Sequence, residues 1–219
     1  MRNNFFKALA LGSALSVSVG YSSDAMAGDK TAADIKEIVM TDTGIGSLDD
    51  LFNQIKTVND NITGAAQDIA DAKGSITSAL GAAGDVTVEK AIADFKASAA
   101  GMVQVDMSSG SPKLGFSPEA PEDIQKIIGS VNDAVKSIKG ATEKLKSVPD
   151  DVKALGEKAK GLMDPKALKA DAKEAGVKLG ATLKAAKGNL GALKDIPHNA
   201  ECVVGEAQAT LDLVKSLGS

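Results

Sequence analysis

Between Leu48 and Ala79 the apolar residues Leu48, Leu51, Ile55, Val58, Ile62, Ala65, Ile69, Ala72, Ile76 and Ala79 are spaced alternately three and four apart, without a slip. A strand needs alternation by two. Three-four spacing held this long predicts a helix that keeps one stripe against a neighbouring helix, in the manner of a coiled coil. One position of each heptad reads Leu, Ile, Ile, Ile, Ile; the other fades from Leu51 and Val58 to Ala65, Ala72 and Ala79. Alanine admits a neighbouring backbone closely while isoleucine fills the remaining gap. The expectation is a helix-packing seam that tightens toward its C-terminal end. In such a seam Ala72→Leu overpacks, at about 1–3 kcal/mol.

The pattern returns. Ile124, Ile127, Val131, Ala134, Ile138, Ala141, Leu145 and Val148 repeat the three-four spacing, and Pro149 is expected to end that helix because proline cannot continue the hydrogen-bond ladder. Around these two stripes, helices are expected from Thr31 to about Met40, from Asp85 or Thr87 through Met102, from Asp150 to Met163, and from the cap pair Asp164-Pro165 to about Lys194. A break at Pro197-His198-Asn199 precedes a last helix, with Asn199 as its cap. Ser47 and Asp50 form a capping-box pattern before the first stripe, and Gly81 is suited to the C-cap after it. Gly176 and Gly180, four apart, suggest a close contact between helices.

The front of the chain carries a targeting signal. Arg2 and Lys7 supply positive charge, Ala8 to Val19 is an apolar run too short to span a bilayer, and Ala25-Met26-Ala27 is a small-x-small cleavage pattern. Together these resemble a secretory signal peptide over 1–27, with a mature chain from Gly28 that is extracytoplasmic, periplasmic or secreted. The rest divides into an N-terminal helical hairpin region (28–106), a Gly/Ser/Pro linker (107–121) and a C-terminal Lys/Ala-rich helical region (122–219). The fold expected is all-α: an elongated antiparallel helical bundle, coiled-coil-like, of about five to six helices.

Composition limits the chemistry. After residue 27 the aromatics are Phe52, Phe95 and Phe116, and there is no Trp, Tyr or Arg. Without Arg there is no bidentate base reader, and without stacking aromatics no single-strand platform, so nucleic acid is not an expected partner. Residues 28–106 carry 6 Lys against 13 acids, whereas residues 107–195 carry 16 Lys against 12 acids. Either the acidic front docks on the basic rear, or the rear meets an anionic surface. The lysines are interspersed with acids, which favours docking.

Few residues suggest reactivity. His198 and Cys202, four apart, are a conceivable nucleophile pair, with a helix start lowering the thiol pKa. No second Cys or His is available to complete a metal site. A buried thiol is the ordinary reading, and an unpaired cysteine in an exported chain is also available for an intermolecular disulfide at Cys202. Asp49-Asp50 and Asp150-Asp151 lie in first helical turns, where acids complement the helix dipole. No catalytic, cofactor-binding or metal residue is assigned. The sequence therefore reads as an exported, non-enzymatic structural or interaction protein. Its helix faces, with Leu48, Leu51, Ile55, Val58, Ile62, Ala65, Ile69, Ala72, Ile76, Ile124, Ile127, Val131, Ile138 and Leu145 as the packing seam, would meet another helical protein, a second copy or an envelope component. The alternative is a reversible binder of anionic lipid through amphipathic helices, which the lack of Trp and Tyr disfavours.

Overall fold

The computed structural model describes residues 31–82, 86–108 and 110–218; the expected signal peptide lies outside them. The described chain is mostly helical. In order it forms α1 (Gly46–Ala79), α2 (Val88–Ser98), β1 (Val103–Asp106), β2 (Lys113–Phe116), α3 (Glu122–Lys144), α4 (Val148–Leu162), α5 (Pro165–Glu174), α6 (Leu179–Ala192) and α7 (Asp195–Lys215). It folds into two compact units: residues 36–61 with 146–200, and residues 62–145 with 201–218, to which 31–35 also belong. α1 and α7 each contribute residues to both.

In the first unit, the stretch expected to be a helix up to Met40 is a 3-10 turn (Ala32–Asp34) followed by extended backbone. Ile35, Ile38 and Val39 are β-branched and hold a helix weakly. Gly44, at φ +72°, turns this arm into α1, and a Cβ there would lie 2.7 Å from Cγ1 of Val177. The backbone N–H and hydroxyl of Thr43 both donate to Asp49 Oδ1 at 2.8 Å. Helix entry is therefore tied down by Asp49 reaching back to Thr43, and Ser47 lies inside the first turn instead of capping it.

Prolines mark first turns here more than they mark stops. Pro149 is the second residue of α4 and Pro197 the third of α7, positions where no intrahelical N–H is required. The expected break at Pro197-His198-Asn199 is thus helical, and Asn199 is not a cap. Asp164 does cap α5, accepting from the N–H groups of Lys166 and Ala167 at 3.0 Å. The single helix expected over 164–194 is divided because Gly176 adopts φ +69°, a conformation that ends helices. A Cβ at Gly180 would meet nothing within 4 Å, so the small-residue pair makes no close contact.

In the second unit, the segment read as a linker over 107–121 contains the turn and second strand of a β-hairpin. β1 and β2 pair antiparallel with Val103 opposite Phe116 and Asp106 opposite Lys113. Asn132 of α3 fastens β2: its Oδ1 accepts from Leu114 N–H and its Nδ2 donates to Leu114 C=O, both at 2.8 Å. On β1, the 3-10 turn Ser216–Gly218 sits so close that a Cβ at Gly218 would collide with the Val105 side chain.

Candidate functional site

The chemically suggestive residues come first. Cys202 is fully buried and His198 half-buried. Because α7 begins at Asp195, Cys202 lies two turns inside the helix and beyond the reach of the N-terminal dipole. A disulfide from Cys202 to another chain would require this part of the protein to open. Among the described residues no group of three His, Cys, Asp or Glu is placed to hold a metal ion. Asp49 is held by the residues that lead into α1. Burial pushes its carboxyl up, but hydrogen bonds, led by the N–H and hydroxyl of Thr43 and joined by Asp42 and Gly44, hold it, on balance, below its ordinary value. That hydrogen bonding stabilises the joint between arm and helix.

The seam positions fall into two groups. Leu48, Leu51, Ile55, Ile62, Ala65, Ile69, Ala72 and Ile76 of α1 are buried. Val58 is half-buried, and its neighbour Asn59 is the buried residue of that turn. On α3 the structure buries Val131 and Ile138, with Leu145 just past its end; Ile124 and Ile127 are not fully buried, and Ile128 takes the inward position.

Within the second unit, α1 and α3 border a groove of about 880 Å³. Its walls are small: Ala72, Ser75, Ser78 and Ala79 from α1, and Ser130, Ala134, Ser137, Gly140 and Ala141 from α3. Ala72, which the sequence places in a close seam, thus has open space beside it. Asp68, Asp71 and Asp133 also line the groove, and Lys144 pairs with Asp68 at 2.6 Å. That ion pair has the polarity expected if the acidic front of the chain docks on its basic rear. Lys36 with Asp195 has the reverse polarity, and Lys73 pairs with Glu206, which lies beyond both blocks. These pairs follow local geometry and not the charge blocks.

The first unit contains an arrangement that sequence reasoning missed. Asn199 accepts from Lys36 N–H at 2.8 Å and donates to Lys36 C=O at 2.9 Å. Asn189 does the same for Thr41, at 2.8 and 2.7 Å. The Thr182 hydroxyl donates to Thr43 C=O at 3.1 Å. No spacing in the local sequence announces such clamps; the one available hint is that Asn189 and Asn199 are polar residues set among the apolar positions of their helices. All three side chains are buried, and Asn199 also donates to buried Asn59 at 3.0 Å. Among the described residues no buried side-chain nitrogen or oxygen lacks a partner. Each amide offers the arm the same donor and acceptor that a neighbouring strand would.

No protein-family model matches the chain, and no curated protein or solved structure is significantly similar to it.

Proposed function

We propose that this protein is an exported, non-enzymatic interaction protein that presents the α1–α3 groove to a helix of a partner or of a second copy. The groove itself carries the reading. Its alanine, serine and glycine walls let a helix backbone approach closely, as small residues do at helix–helix contacts. Its acidic residues favour a lysine-bearing helix. Helices of that kind occur in this chain, as in the Pro165–Glu174 stretch with its three lysines. Export is supported by the positive start, short apolar run and Ala25-Met26-Ala27. No described helix is long and apolar enough to cross a membrane.

The test is sedimentation velocity of the mature chain over rising concentration, alone and with a lysine-rich helical peptide. A block of the groove by Ser75→Trp with Ser137→Trp should abolish whatever association is seen. A chain that stays monomeric, retains no helical peptide and instead floats with anionic vesicles would replace this reading with the lipid-surface alternative.

A further inference from the structure

We propose that Asn189 and Asn199, with Thr182, form a receptor for extended backbone, and that residues 36–43 of a second copy can occupy it in exchange for the chain's own arm. This surface is separate from the α1–α3 groove and does not depend on it.

Three observations converge. First, both asparagines contact main-chain atoms of the arm, the N–H and C=O of Lys36 and of Thr41. Such clamps accept any residue that has an N–H, so an arm from another copy fits as well as the resident one. Second, the spacing suits an extended chain. Extended residues 36 to 41 span about 16 Å, and the asparagines that grip the two ends of that stretch stand on different helices, Asn189 on α6 and Asn199 on α7. Third, the arm commits little of its own surface. Lys36, Glu37, Thr41 and Asp42 are exposed, and Val39 is 72% exposed. Its departure point is Gly44, at φ 72°, and glycine tolerates φ of either sign. An exchanged arm re-forms the clamps on Lys36 and Thr41 and the pair of Lys36 Nζ with Asp195 at 2.6 Å, while the bonds of Thr43 to Ile45 and of Asp42 to Gly44, which span the hinge, are released. Specificity for this arm over other extended peptides comes from that ion pair and from buried Thr43.

The test uses the full chain carrying Lys36→Pro and Thr41→Pro, which lack the two N–H groups that the asparagines accept. A fluorescein-labelled synthetic peptide of residues 31–45 is titrated against it by anisotropy. Saturable binding is expected, at least about tenfold tighter than to the wild-type chain, whose own arm competes. Adding Asn189→Leu and Asn199→Leu should abolish it. No saturable binding to the double-proline chain, with its helical circular dichroism retained, overturns the proposal. If the double-proline chain does not fold, native mass spectrometry of mixed heavy-isotope and unlabelled wild-type chains decides. A mixed dimer that disappears with Asn199→Leu supports exchange, and chains that remain unmixed overturn it.

Discussion

Along α1, residues 48–55 and residues 65–79 keep the same three-four spacing with different side chains on it. The first stretch carries Leu48, Leu51, Phe52 and Ile55, all buried. The second sets Ile69 and Ile76 between Ala65, Ala72 and Ala79, and its last turns border an open groove. The periodicity says which face of a helix turns inward. It does not say whether the space facing that side is filled. Large side chains close it in the front half. In the rear half alanine leaves room, because α3 also presents alanine, serine and glycine across the gap.

The largest effect should come from the filled half. Ile55→Ala removes a fully buried side chain from a closed core, and should cost about 2–5 kcal/mol. For a chain of this size that lowers Tm by roughly 2–4 °C per kcal/mol. A loss under about 1 kcal/mol in chemical denaturation, well below the usual range for such a truncation, would break the contrast between the halves. Next is Asn199→Ala, which strips Lys36 and Asn59 of their shared partner. Leaving such groups unsatisfied should cost about 1–3 kcal/mol, and amide exchange at Lys36 should rise with it.

That second residue also shows where sequence reading stopped. The stripe of α1, that of α3 from Val131 onward, the Asp164 cap and the Gly81 terminus depend on neighbours within a few residues, and these were legible; at the start of α3 the inward position is Ile128 in place of Ile124 and Ile127. Asn199 was not, because Pro197-His198-Asn199 has the local look of a helix start while its true partner, Lys36, is 163 residues away. The hairpin was hidden differently. Val103 and Val105, then Leu114 and Phe116, do alternate, but over only four residues each, around a Gly/Ser/Pro turn whose composition imitates a linker. The groove was the least legible feature, since alanine is compatible with both a tight seam and an open one.

A smaller effect of opposite sign is expected at Gly64, on the exposed face of α1, where a Cβ would meet nothing within 4 Å. Gly64→Ala should stabilise by about 0.8–1 kcal/mol through helix propensity alone, and a fall in Tm would show a contact on that face. At Asp49 the effect is one of pH. The folded state holds this carboxyl below its ordinary value: burial raises it, and the hydrogen bonds around it, from Thr43 foremost and also involving Asp42 and Gly44, together more than offset that. A lowered pKa contributes stability that is full above the ordinary carboxylate value, about 4, and is lost as pH falls through the folded value. Asp49→Asn should therefore lower the urea midpoint at neutral pH and differ less from wild type as pH falls below about 4. A gap that widened on acidification would mean the carboxylate is not stabilised by these bonds.

The most direct test compares two alanines of one stripe. Ala65 is fully buried and does not border the groove, whereas Ala72, 4% exposed, does. Ala65→Leu should overpack and cost about 1–3 kcal/mol, while the leucine of Ala72→Leu has the groove to enter. The account predicts a clear drop in Tm for Ala65→Leu and a Tm for Ala72→Leu unchanged or slightly raised. Equal drops for the two variants would mean that the space beside Ala72 is filled as closely as that around Ala65, and would contradict the groove.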